Sequence, residues 1–199
     1  MDATFAEGDW PQLPMATHTV EFDPQTNQAL LAGSHMVFHC HYYNCAIHKS
    51  IEDALSTDAA ELFRSSAFAA AQPQLAAIVA QVDSPSTRIS KGATLFQQLG
   101  FGRFDPHLLT SAGGTVTSTS SHYALGWLAR YGLRETPVCQ FIEGYLQALM
   151  VVAYNLNVQQ VRVKEVDCLA TGDAACTFVV TVNDSPLNQL SVEEVAHGN

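Results

Sequence analysis

Three cysteines and one glutamate in the C-terminal half of the chain could together form a metal site. Seven residues containing a Gly-Asp turn separate Cys168 from Cys176, Glu165 precedes Cys168 by three positions, and Cys139 lies upstream near a predicted helix start. Zinc takes four ligands in a tetrahedron and prefers thiolates. The free N–H groups at the start of a helix lower the pKa of a nearby thiol and so favour its thiolate form. The spacing of Cys168 and Cys176 is not a standard zinc motif. The cysteines could instead be buried apolar residues, with Glu165 facing water.

A helix start and a β-hairpin must bring these four residues together. Thr136, followed by proline, predicts the start of a helix. Strands are predicted over residues 158–166 and 177–182, with the turn between them. Side chains alternate along a flat strand, so Glu165 and Cys168 would point to opposite faces. The site therefore requires a bulge or a turn before Cys168.

A second group of polar side chains lies at the start of a helix predicted over residues 41–55. His41, Cys45 and His48 stand at i, i+4 and i+7 and share one helix face, and His39 could join them from the preceding residues. These four are the candidate catalytic residues. They could bind a second metal ion, pair a thiol nucleophile with an imidazole base, or provide acid–base groups. The alternative is structural, with buried histidines bonded to backbone carbonyls and Cys45 as packing.

Aromatic residues near this cluster are candidates for binding a ligand. His122 and Tyr123 follow a strand rich in hydroxyl groups and could line the same pocket, together with Tyr42 and Tyr43. No Gly-x-Ser-x-Gly motif, dinucleotide fingerprint or phosphate-binding loop accompanies them.

Length and composition indicate a single globular domain over 1–199. Its parts are an N-terminal hairpin and helices (1–89), a region over 90–182, and a polar tail (183–199). The net charge of −10, with only 9 Lys and Arg residues, argues against direct nucleic-acid binding and against an anionic membrane surface. No signal peptide or membrane-spanning segment is recognised, so we expect a cytoplasmic protein whose five cysteines are not a disulfide framework.

The order of predicted elements favours an α+β fold in which helices cover an antiparallel sheet. Two strands are predicted around Gly113 and Gly114, the first over about residues 104–111 and the second over 115–121. A helix predicted from Ala59 is expected to break or bend at Pro73.

Three segments resemble the 4-vinyl reductase domain family, which includes the phenol-sensing input domains of bacterial transcription activators and a protein of bacteriochlorophyll synthesis. The resemblance covers roughly residues 90–182. It is carried by Val138-Cys139-Gln140-Phe141-Ile142-Glu143-Gly144-Tyr145, Lys164-Glu165-Val166-Asp167-Cys168 and Gly172-Asp173-Ala174-Ala175-Cys176, with Gly100-Phe101-Gly102 further upstream. It implies a 4-vinyl-reductase-like fold, a structural zinc ion on Cys139, Glu165, Cys168 and Cys176, and a homodimer.

Two functions are compatible with these patterns. The first is a zinc-stapled binding protein whose apolar pocket holds a small aromatic or tetrapyrrole-like ligand. The second is a small enzyme, a hydrolase, lyase or reductase, with its chemistry at His39, His41, Cys45, His48 and His122. The absence of a recognisable catalytic motif favours the binding protein.

Overall fold

A computed structural model describes residues 20–31, 34–37 and 39–183. The chain divides into two compact units, Met1–Val37 and Phe38–Asn199. That residues 1–199 form one domain stays a prediction. The tail predicted over 183–199 lies outside the described residues, apart from Asn183.

The first unit contains a small antiparallel sheet. Its strands are β1 (Val20–Phe22), β2 (Ala29–Leu31) and β3 (Ser34–Met36), in the order β1-β2-β3. A tight turn joins β1 to β2, in which the N–H of Asn27 donates to the carbonyl of Asp23. Asn27 adopts a left-handed conformation (φ 55°), which asparagine tolerates better than most residues.

Five α-helices lie in the described part of the second unit. They are α1 (His41–Leu55), α2 (Ala59–Val79), α3 (Pro85–Gln98), α4 (His122–Tyr131) and α5 (Gln140–Tyr154). The prediction for α1 is confirmed to the residue. The helix does not break at Pro73, since α2 continues through it, and a bend at this residue stays a prediction. Pro73 and Ala69 are both exposed, so water can reach the carbonyl group that proline leaves without a helical partner.

A three-stranded antiparallel sheet carries the C-terminal half of the second unit. It consists of β4 (Gly113–Ser118), β5 (Val161–Asp167) and β6 (Cys176–Val182), in the order β4-β6-β5. The strand predicted over about 104–111 is wrong: this segment forms only isolated bridges, at Asp105 and Thr110. The strand after it pairs with β6 instead, which brings Ser118 opposite Cys176.

Helix α5 lies at the centre of the core and contacts α2, α3 and β5. Ile142, Leu146 and Leu149 are fully buried on it. A side chain at Gly144 would collide with the backbone of Arg64, so glycine allows α2 and α5 to cross closely. The predicted α+β class, an antiparallel sheet covered by helices, is confirmed. No helix in the described ranges is long and apolar enough to cross a bilayer.

Candidate functional site

Four potential metal donors meet in the interior of the second unit. One ligand atom from each of Cys139, Glu165, Cys168 and Cys176 lies within 4.8 Å of all the others, and all four residues are buried. The Sγ atom of Cys176 lies 3.7 Å from that of Cys139 and 3.9 Å from that of Cys168. Sulfur atoms bound to one tetrahedral zinc ion at about 2.3 Å would be about 3.8 Å apart, so the spacing fits such an ion.

The start of α5 positions the first two donors. The helix that was predicted to start at Thr136 begins at Gln140, so Cys139 is its N-cap. Its N–H donates to Oε2 of Glu165 at 2.8 Å. The other carboxylate oxygen, Oε1, is buried and has no partner among the described residues. A buried carboxylate oxygen without a partner is costly, and a cation beside the three thiols would satisfy it.

A β-bulge brings Glu165 and Cys168 to the same side of the sheet. Glu165 pairs with Phe178 and Asp167 pairs with Thr177, so the two steps along β5 match one step along β6. The extra residue, Val166, is exposed. This bulge is the irregularity that the spacing of Glu165 and Cys168 predicted. Because of it, the Cys168 thiol points to the same side of the sheet as Glu165.

The turn between β5 and β6 fixes the two hairpin thiols. The N–H of Cys168 donates to Oδ2 of Asp173 at 2.9 Å. The N–H of Leu169 donates to Sγ of Cys176 at 3.4 Å. Gly172 has φ 99°, a left-handed conformation that glycine adopts without strain.

Electrostatics in the centre favour a single negative charge in the absence of a cation. Burial, together with the charge of Cys168, raises the pKa of Glu165 to about 8. Hydrogen bonds with the thiols of Cys139 and Cys176 lower the pKa of Cys168. Burial raises the pKa of Cys139. Cation binding would displace the remaining protons, as expected of thiol-rich metal sites.

Two residues outside the predicted donor set support this centre. The Oγ atom of Ser121 lies 3.1 Å from Sγ of Cys139. The Oε1 atom of Glu143 accepts the N–H of Glu165 at 2.7 Å, and Arg64 binds its other oxygen at 2.9 Å. The signal that could have identified Glu143 from the sequence is that it is an acidic residue in an otherwise apolar helix. The only signal for Ser121 is that serine is a residue type that often caps the start of a helix.

The histidine cluster is partly assembled in the structure. Nδ1 of His41 lies 3.1 Å from Nδ1 of His122, whose Nε2 lies 3.5 Å from Nδ2 of Asn44. Oδ1 of Asn44 lies 3.3 Å from Nδ1 of His39. Burial lowers the pKa of His41, and burial together with the charge of His41 lowers the pKa of His122 to about 4. Both rings are therefore neutral near pH 7.

The direction of the hydrogen bonds determines which ring nitrogen of His122 and of His41 carries the proton. The Asn44 amide donates to Nε2 of His122, so the proton of that ring is on Nδ1 and points to His41. His41 then accepts at Nδ1 and carries its own proton on Nε2. That nitrogen faces Gly126 of α4, as does Sγ of Cys45. His39, Asn44, His122 and His41 thus form one directional series.

The remaining predicted residues take different positions. His48 is buried beside Tyr123, their ring centroids being 5.7 Å apart, and does not join the series of His41 and His122. Tyr123 also packs against Phe101 and Phe141. The side chains of Tyr42 and Tyr43 are exposed. Among the described residues, three or more metal donors come together only at the thiol–carboxylate centre.

Fold and site together define an α+β domain with a buried three-thiol, one-carboxylate centre that could hold a metal ion. Residues 127–182 match the family model of the 4-vinyl reductase domain, and this match confirms the resemblance to that family. The matched segment contains all four donors of the centre. It does not include the histidine cluster.

Two solved structures are similar to the chain. The phenol-responsive sensory domain of the transcription activator PoxR, solved with phenol, has a TM-score of 0.70 and 18% sequence identity, covering 82% of this chain and 84% of that one. A vinyl-4-reductase family protein from Methanocaldococcus jannaschii has a TM-score of 0.48 and 16% identity, covering 71% and 78%. None of the curated proteins matches the sequence.

Proposed function

We propose that this protein is a zinc-stapled domain that binds a small molecule, of aromatic or tetrapyrrole-like character. The observation that carries the proposal is the buried centre of Cys139, Glu165, Cys168 and Cys176 within the segment that matches the 4-vinyl reductase domain. The fold shared with a phenol-responsive sensory domain supports a sensory function of the same general kind.

The donor set supports a structural role for zinc. Three thiolates and one carboxylate complete a tetrahedron and leave no open position for substrate. A bound zinc ion would act as a crosslink among the start of α5, the end of β5 and the start of β6. The residues themselves already hold the geometry through the hydrogen bond from Cys139 to Glu165 and the turn around Asp173.

The aromatic side chains beside the histidine cluster support a ligand site there. Tyr123, Phe101 and Phe141 pack with centroid separations of 4.5 to 6.2 Å, and His122 lies at their edge. Such rings favour an aromatic guest, and the Nε2–H of His41, which the series does not use, offers it a hydrogen bond. Tyr42 and Tyr43, being exposed, would contribute at the rim.

A second candidate function is an enzyme that uses the histidine cluster. The hydrogen bond between Nδ1 of His122 and Nδ1 of His41 joins two groups that can each take up and release a proton, which is the first requirement of acid–base catalysis, and Asn44 orients His122. In this alternative Cys45 and His48 would complete the catalytic group, and a second metal ion would be bound at the histidines.

Metal analysis and ligand titration test the proposal together. We expect one zinc ion per chain in the purified protein, lost in Cys168→Ala and retained in His41→Ala. Calorimetric titration with phenol, the ligand in the PoxR structure, should show saturable binding. A metal ion lost with His41→Ala would favour the enzyme. A wild-type protein without zinc would contradict the proposed structural zinc site.

Assembly and location are further parts of the proposal. We infer a homodimer in the cytoplasm, in keeping with the family resemblance and with five free cysteines. Light scattering coupled to size-exclusion chromatography should give twice the chain mass of 21.5 kDa. A mass of one chain at micromolar concentration would contradict the dimer.

A further inference from the structure

Helix α4 and the residues that follow it contact the thiol–carboxylate centre at two places. At the start of the helix, Ser121 is the N-cap residue, and its Oγ atom lies 3.1 Å from Sγ of Cys139. Beyond the end of the helix, the N–H of Arg134 donates to the carbonyl of Ala170 at 2.9 Å. Ala170 lies in the turn that joins the two hairpin thiols. The helix is therefore attached to the centre on both sides.

The same two ends of α4 also contact α1. Nδ1 of His122, the first residue of α4, lies 3.1 Å from Nδ1 of His41, the first residue of α1. At the other end, Arg134 forms a bidentate pair with Glu52 in the last turn of α1, with nitrogen–oxygen distances of 2.9 and 3.3 Å. Residues 121–134 thus form a bridge that is attached twice to the thiol–carboxylate centre and twice to α1.

The contact between Ser121 and Cys139 can exist in two forms. A hydroxyl and a thiol can each donate to the other, so either atom can be the donor. A sulfur atom bound to a cation has lost its proton and only accepts. In a loaded centre the Ser121 hydroxyl therefore donates to Cys139, and its oxygen accepts only the N–H of Ala124, at 3.3 Å. In the reverse form the same oxygen accepts the thiol as well, so loading favours the form in which Ser121 serves the start of α4 alone.

We propose that residues 121–134 couple metal binding at the thiol–carboxylate centre to the contacts of α1, with Ser121 as the positioning residue. The inference rests on the proposed zinc site and adds a regulatory property to it. A loaded centre fixes the start of α4, and with it the N–H group that His122 presents to His41. By thermodynamic linkage, a change at His41 must then alter the metal affinity of the centre.

The first test follows the imidazole 15N resonances of the full-length wild-type protein before and after addition of one equivalent of zinc to the metal-free form. We expect the ring nitrogens of His41 and His122 to shift, because the loaded centre fixes the hydrogen bond between them. His35, at an exposed position of β3, should not shift. This measurement requires no variant to fold. Rings of His41 and His122 that do not respond to bound zinc would overturn the coupling.

The second test measures zinc affinity by competition with a chromophoric chelator. His41→Gln removes the acceptor at Nδ1 and should lower the affinity about fivefold, at the lower end of the range for coupled sites. His41→Asn keeps an amide oxygen close to the position of Nδ1 and should restore most of the affinity. Tyr154→Phe removes the hydrogen bond from the end of α5 to the carbonyl of Leu109. It is the control for a general loss of stability and should leave zinc affinity unchanged.

A double-mutant cycle assigns the coupling to Ser121. In a Ser121→Ala background, His41→Gln should cause no further loss of zinc affinity, because the connection between the two sites is already absent. Equal losses in the two backgrounds would overturn the coupling while leaving the proposed zinc site intact. A wild-type protein that binds no zinc would overturn both the site and the coupling.

Discussion

The Oγ atom of Ser121 lies 3.1 Å from Sγ of Cys139 and also accepts the N–H of Ala124, at the start of α4. A hydroxyl group has one proton and two lone pairs, so Ser121 can donate to a Cys139 thiolate while it caps the helix. The next residue, His122, meets His41. Two adjacent residues thus connect the thiol–carboxylate centre with the histidine cluster.

Replacing this hydroxyl should weaken both connections. We expect Ser121→Ala to lower zinc affinity by roughly 10- to 100-fold, as loss of a group that supports a metal ligand does. Loss of the cap should reduce the free energy of unfolding by about 1 kcal/mol. Competition with a chromophoric chelator measures the first effect, and urea unfolding of the metal-free protein measures the second.

Ser118 provides a matched control for that experiment. It is also buried, and it lies on β4 opposite Cys176, but its hydroxyl donates to the carbonyl of Arg103 rather than to a thiol. Ser118→Ala should therefore alter stability without a comparable change in zinc affinity. Equal losses of affinity in both variants would show that the contact between Ser121 and Cys139 has no special role.

The thiol–carboxylate centre was predicted from the resemblance to a known family, since the spacing of the cysteines alone left a packing role open, whereas the irregularity before Cys168 followed from the spacing itself. The odd spacing of Glu165 and Cys168 conflicts with the alternation of a flat strand, and β5 resolves the conflict by a bulge at Val166. Helix α1 was predicted correctly because its pattern and boundaries are local. These are features that neighbouring residues decide.

Contacts between distant segments could not be predicted in the same way. His41 and His122 are 81 positions apart, and no local pattern indicates that α4 packs on α1. The hydroxyl-rich strand was predicted to pair with the segment before Gly113, but it pairs with β6, about 60 residues later in the chain. Strand partners follow from the packing of the whole sheet, which a hydropathy pattern does not specify.

The ion pair of Arg64 and Glu143 should be important for stability. Glu143 is 1% exposed and accepts two contacts from Arg64 as well as the N–H of Glu165. We expect Arg64→Met to reduce the free energy of unfolding by about 3 kcal/mol, because it leaves the buried carboxylate with only the exposed Lys164, whose Nζ lies 3.7 Å from Oε1, as its counter-ion. Chemical denaturation with far-ultraviolet circular dichroism measures the loss.

Glu61 offers the comparison for Arg64→Met. It pairs with the same guanidinium but is largely exposed, and exposed pairs contribute less than about 1 kcal/mol. Glu61→Gln should therefore be nearly neutral. A similar cost for the two substitutions would mean that Arg64 acts through its position on α2 rather than through the charge of Glu143.

Zinc should stabilise the fold by mass action if the centre binds it. With free zinc about 100-fold above the dissociation constant, the free energy of unfolding should rise by about 2.7 kcal/mol, and chelation should reverse the gain. Cys176→Ser should abolish the response, while Cys40→Ser, at an exposed thiol, should retain it. A zinc response that survives in Cys176→Ser would place the binding site elsewhere.

Stability should fall in mild acid because His122 resists protonation in the folded state. Burial, together with the charge of His41, lowers the pKa of His122 to about 4 from an ordinary value of 6.5. Between these values the unfolded chain binds a proton that the folded chain does not. The stabilisation is therefore complete above about pH 6.5 and is lost progressively as the pH falls towards 4.

Paired variants isolate this contribution from that of the carboxylates, which also titrate in acid. His122→Gln should flatten the dependence of unfolding free energy on pH in this window, because the titrating group is gone. His35→Gln, at an exposed position of β3, should keep the wild-type slope. Urea unfolding at several pH values between about 4 and 7 covers the window. Identical slopes in His122→Gln and the wild-type protein would contradict the lowered pKa and, with it, the neutral pair of His41 and His122.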